Sequence, residues 1–230
     1  NLEDVKAVQS SVARITNGYG HVVVDGVAAV PHCFAAVHEL GVSWYVMGCH
    51  KVFGPHLGAL CGRKSAIHEL GNPLIQLGTV NYEACEGVRG LGQYFAELAT
   101  QSPVTSVLSS DTILEAYRLI GEAEATLVES LLTGLRRSLK VRIIERPGTA
   151  ARLPVVSFLH SDISSSRIVE QCSARGVICR NGSFLSTELF QKKHGVDSDH
   201  GVVRFSLVHC NTISEVKRSL AVLEELPGWF

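Results

Sequence analysis

Two apolar runs, HVVVDG at residues 21–26 and VSWYVM at residues 42–47, are joined by a stretch with helical character, PHCFAAVHEL at 31–40, with Pro31 in its first turn and Gly41 after its end. Proline suits the start of a helix and glycine its end. A strand–helix–strand unit places its two strands side by side and parallel, and this constrains the chain more than any other feature. Asp25 closes the first run, and Lys51 follows the second after the short link GCH. Parallel strands bring their carboxyl ends to one edge, where open α/β sheets bind ligands. A third run, LGALCG at 57–62, follows a loop centred on Gly54 and Pro55, too short for a crossover, so it is expected to run antiparallel. Strands apolar throughout imply a sheet covered on both faces.

The rest of the chain follows a different pattern. An amphipathic helix is expected over residues 3–15, a helix near 82–99, a linker over 101–110, and a long helix over 111–140 with Asp111 as its N-cap. Beyond it, LPVVSFLH, VICR and VVRFSLVH read as strands, and SSRIVEQCSARG and ISEVKRSLAVLEEL as helices. The expected organisation is α/β: residues 1–110 from a larger, mainly parallel domain, 111–140 a connecting helix, and 141–230 a smaller α+β domain.

Composition narrows the function classes. The 230 residues are 46% apolar, enough for a core, and the formal charge of −1 gives no electrostatic footprint for nucleic acid or an anionic membrane surface. No apolar run is long enough to span a bilayer, and no secretory signal is visible. Seven cysteines, an odd number without a CxxC pair, suit free thiols in a reducing compartment, so a cytoplasmic location is expected. The first residue is Asn1, and the chain reads as trimmed or partial. His32, His38, His50 and His56 lie near one another in sequence, but their spacing matches no metal-ligand motif; no metal site is expected, and neither glycine signature of a nucleotide site occurs.

A carboxylate and an amine facing one crevice match what pyridoxal 5'-phosphate requires. A lysine forms a Schiff base with the aldehyde, and a carboxylate keeps the pyridine nitrogen protonated, so that the ring can accept electrons from a substrate carbanion. Spacing alone favours an aspartate capping a loop and a lysine held in an ion pair.

The segments VDGVAAVPH, CHKVFGPHLGALCGR and LGTVNYEACEGV occur in this order, and together they resemble the class V aminotransferases, fold-type I enzymes dependent on pyridoxal phosphate, most closely their cysteine-desulfurase-like branch. The likeness continues more loosely through RNGSFLSTEL and VVRFSLVHCNTISEV. It implies that Lys51 is the Schiff-base lysine, that Asp25 pairs with the pyridine nitrogen, that His50 helps seat the cofactor, and that Thr79 reaches the cofactor phosphate of a partner subunit in a homodimer with shared active sites. Arg180 falls where related enzymes bind the substrate carboxylate, a task suited to the paired donors of a guanidinium; Arg204 is a second candidate. Each position has a structural alternative: a turn histidine, Thr79 capping the helix near Tyr82, and ordinary ion pairs for the two arginines.

Four departures stand against the resemblance. Gly48 occupies the place of a phosphate-binding serine, and Ala28 replaces a Gln or His that contacts the cofactor ring. Leu185 stands where one desulfurase group carries its persulfide-forming cysteine. Roughly the first half of the family's usual chain has no counterpart here. The implied function is therefore a pyridoxal-phosphate enzyme acting on an amino acid, represented by its second half and inactive as this chain alone. The alternative is a noncatalytic binding or dimerisation module, a truncated product or pseudoenzyme.

Overall fold

The computed structural model describes residues 4–71, 78–102, 109–145, 152–184, 186–195 and 201–230. The chain divides into two compact units, one reaching Leu119 and the other running from Ile120 to the end. The boundary falls inside a single long helix.

The first unit opens with α1 (Val5–Ile15), capped by Asp4, whose side chain accepts from the Ala7 N–H. Strands β1 (Val23–Asp25), β2 (Trp44–Gly48) and β3 (Gly58–Gly62) form one sheet in that order. β1 and β2 are parallel, with Asp25 opposite Val46, and β3 is antiparallel to β2. The pairing expected for all three runs is thus present. The mainly parallel sheet is not: one pair is parallel and the other antiparallel.

The connection between β1 and β2 is also less helical than expected. Residues 26–33 form successive turns, with Val30 N–H bonded to Gly26 O and Cys33 N–H to Ala29 O, and only α2 (Val37–Leu40) is helical. Gly41 ends α2 with φ +68°, the left-handed geometry that favours glycine.

The sheet is covered on one face only among the described residues. Register puts Val24, Tyr45 and Cys61 on one face, where Tyr45 is 3% exposed. Val23 and Leu60 lie on the other and are 63% and 50% exposed. An apolar strand therefore does not by itself show that both its faces are packed.

After β3 come α3 (Lys64–Glu69), which the sequence reading missed, and α4 (Tyr82–Thr100). Asn81 caps α4 by accepting from the Ala84 N–H, so the cap assigned to Thr79 belongs to Asn81. Helix α5 (Ser110–Leu135) starts one residue before Asp111, and Ser109 Oγ accepts from the Thr112 N–H in the capping role expected of Asp111. Tyr117 on α5 ties this helix to the first unit: its hydroxyl donates to Val30 O at 2.7 Å, and its ring stacks on Phe95.

Helix α5 stops at Leu135 rather than near residue 140, because the chain turns at Ser138 into β4 (Val141–Ile144), a strand not foreseen. The second unit is a four-stranded antiparallel sheet in the order β4-β5-β7-β6, with β5 (Val155–His160), β6 (Arg180–Gly182) and β7 (Val202–Ser206). Helices α6 (Ser165–Ala174), α7 (Thr187–His194) and α8 (Ile213–Glu224) complete it. Strand β5 alternates buried and half-buried residues, the period-two signature of a sheet with one packed face. Val156, Phe158, Val203, Phe205, Ile168, Leu223 and Trp229 lie in that core. Helix α8 carries a full capping box between Thr212 and Glu215.

Candidate functional site

The site is built at the carboxyl edge of β1 and β2. Asp25 ends β1, and its Oδ1 accepts from the Val27 N–H at 3.0 Å. This bond fixes the carboxylate over the first turn and engages one of its oxygens; no described residue bonds Oδ2. The next peptide is fixed as well, since Gly26 N–H donates to Val46 O at 2.9 Å. Tyr45 packs so close that a Cβ at Gly26 would stand 2.0 Å from its hydroxyl oxygen. Burial raises the Tyr45 phenol above its usual range, and the neighbouring thiols of Cys33 and Cys61 and the Asp25 carboxylate add to the effect.

Strand β2 runs into a 3-10 turn, Cys49–Val52, that carries His50 and Lys51. Short-range bonds hold the turn. Cys49 N–H donates to Leu57 O, Gly54 N–H donates to Cys49 O, and Phe53 caps the turn with φ +67°. Cys49 and Val52 point inward, and burial raises the Cys49 thiol. His50 and Lys51 therefore face solvent. Lys51 thus sits not within a buried strand but on the exposed side of the turn that closes it. Lys51 Nζ has neither an ion pair nor a hydrogen bond among the described residues, so the ion-pair alternative has no partner there.

His50 stacks on His56, with ring centroids 5.3 Å apart and planes within 1° of parallel. His32 and His38 do not join them, and among the described residues no group of three His, Cys, Asp or Glu side chains is placed to hold a metal ion. Thr79 is exposed, two residues before the α4 cap. Ala28 lies exposed in the turn after Asp25.

The second unit holds the arginines. Arg180 on β6 pairs directly with Arg204 on β7, and Ser157 lies opposite Arg204 on β5. Core residues alternate with these, so the three share the face away from the core. Two guanidiniums opposite each other repel, and no described carboxylate pairs with either. The Arg204 guanidinium carbon lies 3.7 Å from the centre of the Phe184 ring, a stacking contact that holds its plane. Its Nε is buried without a hydrogen-bond partner among the described residues. Burial, and then Arg180, lower the Arg204 pKa. An unpaired, partly desolvated guanidinium pair is what a carboxylate ligand would neutralise. The ordinary ion pair considered for Arg204 is absent among the described residues, and the cross-strand pairing that makes it notable was not visible in the sequence. Leu185 lies outside the described residues.

The donor set of the first unit, an unpaired amine and a carboxylate with one oxygen unbonded on adjacent parallel strand ends, fits the aldehyde and pyridine ends of pyridoxal phosphate. The aminotransferase class-V family model matches residues 4–218. The chain belongs to the aminotransferase class-V family. The family's enzymes typically use pyridoxal phosphate. Among similar proteins, the aminotransferase-like protein FGM3 of Gibberella zeae is 32% identical over 97% of this chain and 55% of its own length. The cysteine desulfurase-like protein ustD of Aspergillus flavus is 31% identical over 89% of this chain and 47% of its own. In fold, the chain resembles an apo cysteine desulfurase from Thermococcus onnurineus, with a TM-score of 0.74 at 20% identity, over 91% of this chain and 53% of that one. This class-V chain thus spans about half the length of the curated relatives it matches. No described helix is long and apolar enough to cross a membrane.

Proposed function

We propose that these residues belong to a pyridoxal-phosphate-dependent enzyme acting on an amino acid, with Lys51 as the covalent anchor. The observation that carries this reading is the placement of an unengaged Lys51 amine and of Asp25 at the carboxyl ends of two adjacent parallel strands. Bound there, pyridoxal phosphate supplies an electron sink for a substrate carbanion. Lys51 would hold the aldehyde covalently, and its amine would serve to move a proton at the substrate's α-carbon. Asp25 holds a proton on the pyridine nitrogen while the Val27 N–H keeps its carboxylate in place. His50 contributes to seating the phosphate. Arg180, with Arg204 beside it on the neighbouring strand, binds the substrate carboxylate. Thr79 reaches the phosphate of a second copy in a homodimer.

Persulfide chemistry is not expected. It needs a thiol on an accessible mobile segment, whereas Cys172 and Cys179 are buried, Cys85 lies within α4, and Cys210 lies between β7 and α8 rather than in the stretch after Arg180. The reading is a desulfurase-like enzyme of different specificity.

The test uses the longest natural polypeptide that carries these residues. It is incubated with pyridoxal phosphate, reduced with borohydride and mapped by peptide mass spectrometry. The adduct is expected on Lys51 and lost in Lys51→Ala, while Asp25→Ala keeps cofactor and loses most turnover. An adduct on another lysine sinks the assignment. The Ala28 and Gly48 departures favour a second reading, a noncatalytic dimerisation module. That reading predicts a stable dimer that takes up no cofactor.

A further inference from the structure

We infer that His50 and His56 together form a two-imidazole clamp for a phosphate monoester, standing in for the hydroxyl that Gly48 lacks. The inference rests on the reading of Lys51 as cofactor anchor and adds to it a residue, His56, with no role so far.

Gly48 ends β2, directly before the turn bearing His50 and Lys51. A Cβ built on Gly48 would lie 2.9 Å from His50 Cε1 and 3.2 Å from its Nδ1. Carbon atoms do not approach so closely, so any larger residue at 48 would push the His50 ring aside. The glycine that removes a hydroxyl is therefore the glycine that lets the imidazole fold back over the end of the strand. There it meets His56, which the Gly54-Pro55 loop returns to the same side. The hydrogen bond from Leu57 N–H to Pro55 O and that from Cys49 N–H to Leu57 O close this return.

The rings are parallel within 1° and 5.3 Å apart, so their edges project alike. Each imidazole offers ring N–H groups as donors. Charge-assisted N–H···O bonds are about 2.7–2.9 Å long, so donors on rings this far apart can reach different oxygens of one tetrahedral anion. Lys51 is next to His50 in the same exposed turn. Both histidine side chains are exposed, and the stack gains little from burial; an anion shared between the rings gives the arrangement a purpose that packing does not.

The experiment measures equilibrium binding of pyridoxal phosphate, pyridoxal and inorganic phosphate to the longest natural polypeptide carrying these residues, alongside the borohydride adduct at Lys51. The ratio of pyridoxal phosphate to pyridoxal affinity isolates the phosphate contribution. His56→Ala is expected to lower that ratio about tenfold, the scale of one hydrogen bond to a charged group, while the Lys51 adduct still forms. His56→Phe keeps a ring for stacking but no donor, and is expected to lower the ratio equally; His56→Gln restores part of it. Gly48→Ser is expected to displace His50, so that His56→Ala has little further effect in that background. Inorganic phosphate competing with pyridoxal phosphate but not with pyridoxal supports a site for the free anion as well. An unchanged ratio in His56→Ala, with the Lys51 adduct intact, overturns the clamp and leaves the enzyme reading standing. Full rescue by His56→Phe also overturns the clamp, because stacking alone would then suffice. Failure of pyridoxal phosphate to bind the unaltered protein overturns both.

Discussion

Gly26→Ala tests whether Asp25 is placed by the packing of Tyr45 on the residue after it. The three atoms nearest a Cβ at Gly26 are all at the outer end of the Tyr45 ring: Oη at 2.0 Å, Cζ at 2.1 Å and Cε1 at 2.5 Å. Tyr45 is 3% exposed and cannot swing freely. Overpacking of this kind costs about 1–3 kcal/mol. Gly26 is not in a left-handed conformation, so alanine adds no backbone strain and recovers about 0.4–1 kcal/mol through the less flexible unfolded chain. The net destabilisation is about 1–2 kcal/mol, which lowers the urea midpoint by about 1 M at a slope of about 1.5 kcal/mol/M. The two tryptophans lie one in each unit, Trp44 in the first and Trp229 in the second. In a Trp229→Phe background, Trp44 fluorescence therefore reports the first unit alone. Tyr45→Leu removes all three clashing atoms, and in that background Gly26→Ala should cost less than about 0.5 kcal/mol. Equal costs in both backgrounds, or no cost in either, would refute the packing argument.

Tyr117 makes the first unit sensitive to alkali. Burial pushes its phenol up from 10.0 to about 12, so the folded state keeps the proton longer than the unfolded state does. The stabilisation is complete below about pH 10 and is lost as the pH rises towards 12, by up to about 2.7 kcal/mol at 1.36 kcal/mol per unit; Tyr117→Phe should flatten that limb of a stability-versus-pH curve measured by urea unfolding, and an unchanged limb contradicts the assignment. Thiol labelling of the native protein should modify exposed Cys85 and Cys210 first, and leave buried Cys49, Cys172 and Cys179 unmodified until denaturant is added. Rapid labelling of Cys172 would show that the second core opens readily.

The sequence by itself determined the local and near-neighbour features of this protein. Apolar runs of strand length, the turn at Gly54-Pro55 and the cap at Gly41 depend on residues close in the chain, and β1, β2 and β3 pair as those cues imply. The motif around Lys51 was legible for the same reason: its chemistry is written in consecutive residues. Tertiary structure decided what depends on partners far apart in sequence. A run apolar throughout does not show whether anything covers both its faces, and Val23 and Leu60 remain exposed. The connection after Asp25 folded into successive turns, with only Val37–Leu40 helical, although its local sequence has helical character. Strand β4 and the start of β6 at Arg180 became defined only through the neighbours that pair with them. The two constellations of most functional interest, His56 on His50 and Arg204 beside Arg180, arise where a loop return and an antiparallel register bring separate segments together; no spacing rule in a single segment encodes either contact.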